Sequence, residues 1–210
     1  MNAKLLTCLV VTALLFIGCA KQASKEMTPI PTPTTSACCE EDESERGPIS
    51  DLSLYNLEST WLDSTGREIK LGDLRGEIVL VAMVYSSCKA ACPRIIDDMR
   101  QIRQGFDALD NVRFVLVSID PEVDTPERLA AFARESHLGE DWQLLHGDSE
   151  DVMELAVLLG VKYRKTGATD YAHSNIITLL NREGEIVHQQ EGLGVDPEQT
   201  IHALAKLLNE

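Results

Sequence analysis

Positive charge is scarce in this 210-residue chain: 19 Lys and Arg stand against 34 Asp and Glu, a formal net charge of −15. Nucleic acids and anionic membrane faces are bound through basic patches, so the deficit argues against both as partners. Methionine numbers only five, and no methionine-rich run of the kind that collects copper is present. Proline is absent between Pro126 and Pro197. The apolar stretch from Leu5 to Ile17 is too short to cross a bilayer comfortably, which takes about 20 residues. No segment repeats.

That first apolar stretch reads as a targeting segment, residues 1–18, to be left out of the fold. Lys4 is its positive start, and it ends in Phe16-Ile17-Gly18-Cys19, which resembles a bacterial lipoprotein box with cleavage before Cys19 and lipid on that cysteine. An ordinary signal peptide or an uncleaved anchor are the alternatives, and all three place the domain outside the cytoplasm. Residues 19–50 read as a disordered acidic tether. Pro29, Pro31 and Pro33 are followed by Cys38-Cys39, and five acidic residues lie in the run Glu40–Glu45. Too little apolar surface is available there to offset ordering entropy. Transient copper binding, cross-linking to another chain, or no role at all fit Cys38 and Cys39 equally.

Residues 51–210 suffice for one domain with a substantial core. Trp61 to Lys70 predicts a β-hairpin turning at Ser64-Thr65-Gly66. Ile78–Tyr85 is a continuous apolar run, the pattern of a strand covered on both faces. A helix from about Cys92 to Phe106 follows, then a β-branched strand, Val112–Ile119. Thr125 is placed to cap a helix with Pro126 at its first position, running to about His137. Trp142–His146 forms a short strand, and Asp148 caps a helix carrying Val152, Leu155, Ala156 and Leu159. Asn175–Leu180 and Glu185–His188 flank a turn at Asn181–Gly184. A last helix opens at Asp196-Pro197, with Gln199 placed for a capping-box contact and Ile201, Leu204 and Leu208 facing inward. This order predicts an α/β three-layer sandwich with an N-terminal hairpin extension.

The chain is organised around Cys88-Lys-Ala-Ala-Cys92-Pro93, where a strand becomes a helix. Cysteines at i and i+4 there lie within about 5–6 Å at Cβ, and the helix N-terminus favours thiolate. Such a pair can close into a disulfide, hold a soft metal, or merely pack as two small apolar residues. Strands 78–85 and 112–119, joined by a helix, are expected to be parallel, so Cys88, Cys92, Asp120 and Asp124 share one sheet edge. An antiparallel strand 175–180 brings Tyr171-Ala172-His173-Ser174 to the same rim.

Cys88-x-x-x-Cys92-Pro93, Ser118-Ile-Asp-Pro-Glu-Val-Asp-Thr-Pro126, Trp142-Gln-Leu-Leu-His-Gly147 and Tyr171-Ala-His173-Ser174 resemble, in that order, the motifs of the Sco/SenC family. The resemblance covers about residues 55 to 208. It implies a thioredoxin-like fold and an extracytoplasmic copper chaperone for the dinuclear copper-A centre of cytochrome c oxidase or a similar enzyme. It implies copper ligation by Cys88, Cys92 and His173, with Asp120 and Asp124 as supporting carboxylates. The implied partners are a copper-A-containing oxidase subunit or similar client, and a thiol–disulfide reductase or a copper donor protein. Two positions depart from the family: Lys89 stands where proline is usual, and Ala172 where aspartate commonly precedes the histidine. Asp170 or backbone must then orient the imidazole.

Two thiolates and an imidazole are a soft, low-count donor set, suited to Cu(I) and able to hold Cu(II) with an added ligand. Zinc accepts the same groups but prefers a fourth. His137, His146, His188 and His202 fall near element ends or on helix surfaces, and Met83 and Met99 read as core. The competing class is a thiol–disulfide oxidoreductase, or a redox sensor, acting through Cys88 and Cys92. Three residues between the cysteines, and no proline before strand 175–180, count against the reductase. Cys88 also lacks the threonine-rich surroundings of a peroxiredoxin.

Overall fold

The computed structural model describes residues 47–107 and 109–210. Cys19, Cys38, Cys39 and the acidic run lie outside these residues. The sheet holds seven strands in the order β2-β1-β5-β4-β3-β8-β9. These are β1 (Trp61–Asp63), β2 (Glu68–Ile69), β3 (Ile78–Val84), β4 (Val112–Ser118), β5 (Trp142–His146), β8 (Ile176–Leu180) and β9 (Ile186–Glu191). Strands β3, β4 and β5 run parallel, whereas β8 is antiparallel to β3 and β1 is antiparallel to β5. Every residue of β3 is buried, as a strand covered on both faces requires. Helices α1 (Ala91–Gln104), α2 (Pro126–Glu135), α3 (Ser149–Leu158) and α4 (Glu198–Leu208) flank the sheet, α1 packing on β3 and α4, and α2 on β5. The result is the α/β sandwich that the element order predicts.

Local signals account for most boundaries. Thr125 accepts the N–H of Arg128, with Pro126 in the first turn of α2, and Asp148 accepts from Glu150 and Asp151 at the start of α3. The N-terminal hairpin turns around Asp63, which accepts from the N–H of Thr65 and Arg67 and from Arg67 Nε. Burial alone would raise that carboxyl, but these bonds hold its pKa down at about 2. Gly147 follows β5 because the ring of fully buried Trp61 occupies the space beside it: a Cβ there would lie 2.5 Å from the indole. Gly184 takes φ +81° in the β8–β9 turn with Tyr55 packed against it, a conformation that favours glycine.

Several expectations need correction. Helix α2 stops at Glu135 rather than His137, because His137 adopts φ 52° and leaves the helical region. At α4 the N–H of Glu198 is taken by Asp196, not through a Gln199 capping box. The same helix turns Thr200, Leu204 and Leu207 fully inward, while Ile201 and Leu208 are only partly buried against the core. The sequence reading also omits a separate two-stranded sheet, β6 (Tyr163–Lys165) with β7 (Tyr171–His173), and two short 3-10 turns at Leu54–Asn56 and Leu71–Leu74. Ordered packing begins before Asp51: Ile49 lies against the core, and Ser50 O accepts from Ser53 N. Among the described residues no helix is long and apolar enough to cross a membrane.

Candidate metal centre

Parallel pairing of β3 with β4 and antiparallel pairing with β8 bring three loops to one rim of the sheet. From the first comes the turn 85–90, closed by Cys88 N–H on Tyr85 O at 3.2 Å. Cys88 therefore sits in the turn ahead of α1, not on its first coil. Its sulfur reaches the helix by accepting the N–H of Cys92 at 3.3 Å, a cap that Ala90 has no side chain to make. Cys92, fully buried on α1, accepts from Tyr85 N at 3.5 Å. Both cysteines are free thiols.

His173 arrives on β7 rather than in a loop. Its Nδ1 lies 3.0 Å from Ser174 O. A carbonyl only accepts, so Nδ1 carries the proton and Nε2 is left as a lone pair. Nε2 is buried and has no hydrogen-bond partner. The two sulfurs and one ligand nitrogen lie within 4.8 Å of one another, the one such metal-capable group among the described residues. An unpartnered buried nitrogen costs about 1–3 kcal/mol, whereas a metal ion would satisfy it. Two thiols and this imidazole fit a soft ion of low coordination number.

The electrostatics divide the pair. Burial opposes ionisation of Cys88, but N–H groups of Cys92 and Ala90, the Cys92 thiol and the Tyr85 hydroxyl outweigh it, and its pKa falls below the ordinary thiol value. Cys92 moves up, through burial first and then the charges of Cys88 and Asp124. Burial lowers the pKa of His173, against the pull of the Ser174 bond, which keeps the imidazole neutral and able to ligate. Burial raises the Tyr85 hydroxyl to about 12, so it stays protonated beside Cys88.

Asp120 and Asp124 are both fully buried on the same rim, and neither joins the donor group. Asp124 is fastened beneath the cysteine turn, accepting from Ser86 N at 2.9 Å, from Ser86 Oγ, and from Ser118 Oγ at 2.6 Å. Arg128 Nε donates to Ser86 Oγ at 3.0 Å, and His146 Nδ1 meets Asp124 O at 2.9 Å, so the knot ties α2 and β5 to the turn. Asp120 accepts from Tyr171 Oη at 2.9 Å and leaves its second oxygen unpartnered. Of the two orienting groups open to His173, it is backbone, at Ser174, that serves. Asp170 instead lies by Gly167 in the β6–β7 loop. Lys89 is exposed. Sequence reasoning gave no role to Ser86, Tyr85, Ser118 or Tyr171, though the last two stand in the quoted motifs; an apolar–polar boundary at Tyr85-Ser86 is the signal for the first two.

The SCO1/SenC family model matches residues 54–209. A SCO1 protein homolog of Bacillus subtilis is 27% identical over 159 residues, 73% of this chain and 82% of that protein. The mitochondrial SCO2 homolog of Homo sapiens is 31% identical over 134 residues, 59% of this chain but only about half, 48%, of the relative. Among solved structures, BsSco, described as a member of the Sco family of cytochrome c oxidase assembly proteins with a disulfide switch, superposes with TM-score 0.63 at 23% identity, covering 71% of this chain and 91% of that one. Bradyrhizobium japonicum ScoI, solved with copper bound, gives TM-score 0.58 at 25% identity over 72% and 96% of the two chains. The fold is thus the thioredoxin-like α/β fold of the Sco structures. Since the matched span takes in both cysteines, the Asp-Pro loop and His173, and most of the chain besides, the protein belongs to the SCO1/SenC family.

Proposed function

We propose that this protein is a copper-binding metallochaperone in the assembly of cytochrome c oxidase or a similar enzyme, with its copper cargo held by Cys88, Cys92 and His173. The observation that carries the reading is an imidazole, His173, whose Nε2 is buried without a partner and which offers a ring nitrogen within 4.8 Å of two free thiols. Bound copper would accept donation from both sulfurs and this nitrogen. The protein's part is to favour the thiolate of Cys88, keep His173 neutral and bury its Nε2. We further place it outside the cytoplasm, anchored by lipid on Cys19, serving a copper-A-containing subunit or similar client, with a thiol–disulfide reductase or a copper donor protein as a further partner. Intact mass of the mature protein tests the anchor: a lipidated N-terminus at Cys19 is expected, lost in Cys19→Ser, and a lipid-free start elsewhere overturns it.

One observation favours a second reading. The lowered pKa of Cys88 beside a raised, buried Cys92 is the asymmetry of an attacking and a resolving thiol. Titrating the reduced protein with Cu(I), alongside assay of disulfide reduction in a generic protein substrate, separates the two. Stoichiometric copper with negligible turnover is expected of the chaperone; turnover of a dedicated thioredoxin with weak copper binding makes it a reductase.

A further inference from the structure

His173 has no aspartate beside it in the chain, since Ala172 offers no acceptor, and it rides on a two-stranded sheet separate from the main one. Two-stranded hairpins are marginal by themselves, so something must hold β7 against the rim if the imidazole is to keep its place. The contacts that do so converge on Tyr171, two residues before His173 and on the same face of β7. Its Oη donates to Asp120 Oδ1 at 2.9 Å, across to the loop after β4. Its N–H donates to Tyr85 Oη at 3.3 Å, across to the cysteine turn. Its ring packs on that of Tyr85 at 5.2 Å, and Tyr85 in turn meets the His173 ring edge-on at 5.8 Å. Tyr163 of the neighbouring strand closes the cluster at 6.3 Å from Tyr171. Two weaker ties reach the same hairpin: Ser87 Oγ to Thr169 O at 3.1 Å, and the exposed pair Lys165–Glu122.

We infer that Asp120 and Tyr171 form a strap that positions His173 for the metal site, supplying through the fold the orientation that residue 172 cannot. Asp120 is the fixed end. It is fully buried at the close of β4, with its backbone N–H bonded to Ser118 Oγ and its carbonyl accepting from Val123 and Asp124. Tyr171 is the crosspiece, and Tyr85 transmits its position to both the imidazole and the Cys88 turn. Neither Asp120 nor Tyr171 touches the ion; both are positioning residues.

This inference rests on the metal reading above, and its test separates the two. Tyr171→Phe removes one oxygen and keeps the ring packing. In copper-free protein, amide hydrogen exchange at Tyr171 and Ala172 should speed up in that variant, a readout that needs no metal. In copper-loaded protein, Cu(II) affinity should fall by roughly the 10–100-fold typical of lost outer-shell partners, with the thiolate-to-copper absorption band shifted toward that of His173→Ala. Cu(I) affinity should change little. Asp120→Ala should match Tyr171→Phe, the double variant should add nothing further, and Asp120→Asn, which keeps an acceptor oxygen, should restore most of the loss. Wild-type exchange and spectrum in Tyr171→Phe overturn the strap, as do fully additive losses in the double variant. A wild type that binds no copper, with exchange at β7 still accelerated in Tyr171→Phe, overturns the metal reading and leaves the strap as a device of the fold.

Discussion

Oxidation of the Cys88–Cys92 pair is expected to abolish tight Cu(I) binding, and reduction to restore it. Closing the disulfide removes two electrons and two protons from the thiols, which pass to a disulfide oxidant, and leaves no thiolate to donate to the ion. The geometry allows the bond: the thiols are unbonded, with their sulfurs no more than 4.8 Å apart. The loss should exceed the ~10–100-fold that follows removal of an outer-shell partner, because both sulfur ligands go together. Single substitutions Cys88→Ser and Cys92→Ser should each cost nearly as much. The two thiols are also expected to differ in reactivity. Alkylation at neutral pH should reach Cys88 first, its pKa being lowered, while Cys92, fully buried and raised, should react slowly. Titrating reduced, oxidised and re-reduced protein with Cu(I) against a competing chelator measures the gate, and equal affinity before and after complete oxidation would refute it.

Parts of this architecture were legible because their causes are local. The all-apolar run of β3 announces a strand covered on both faces, and Thr125 with Pro126, like Asp148, announces a helix start. The rim followed from topology: once β3 and β4 are parallel and β8 antiparallel, three loops have only one edge on which to meet. What the sequence hid was decided by contacts distant along the chain. Strands of three residues, Tyr163–Lys165 and Tyr171–His173, carry too short an alternation to register as β6 and β7, and the contacts that dock Tyr171, from Tyr85 and Asp120, lie far away along the chain. At α4, Gln199 is correctly spaced for a capping box, yet Asp196 reaches the same turn and takes the Glu198 N–H.

The acidic loop shows the same limit at the site itself. Asp120 and Asp124 could be placed on the rim from sequence, but carboxylates on a rim can face a metal or the protein. Here Asp124 accepts from Ser86 and Ser118, and Asp120 from Tyr171. No spacing rule predicts partners lying 38 and 51 residues away. Removing Asp124 would leave the Ser86 and Ser118 hydroxyls without their acceptor under the cysteine turn, so its removal is expected to act on the proposed copper site through the placement of Cys88.

Replacing His173 with alanine is expected to cost far more Cu(II) than Cu(I). Two thiolates can hold Cu(I) in a linear arrangement without help, whereas the harder Cu(II) ion depends more on nitrogen and oxygen donors. The variant should therefore keep Cu(I) with a graded loss, hold Cu(II) poorly, and lose or greatly alter any visible thiolate-to-copper band. The rival account makes His173 a packing residue, seated edge-on against Tyr85 at 5.8 Å. Its hydrogen bonding argues otherwise. Nδ1 is satisfied by Ser174 O, but Nε2 is buried with no partner, and an apolar ring of similar size would pack there without that penalty of about 1–3 kcal/mol. A group kept in a costly state is better explained by the ligand it awaits. For the same reason, metal-free His173→Ala protein should remain folded, since the substitution removes an unsatisfied nitrogen along with the ring contact. Titration of reduced wild type and variant with each ion, with thiol content checked before and after, makes the comparison. Unchanged Cu(II) affinity and spectrum in the folded variant would reduce the site to its two cysteines and return His173 to the core.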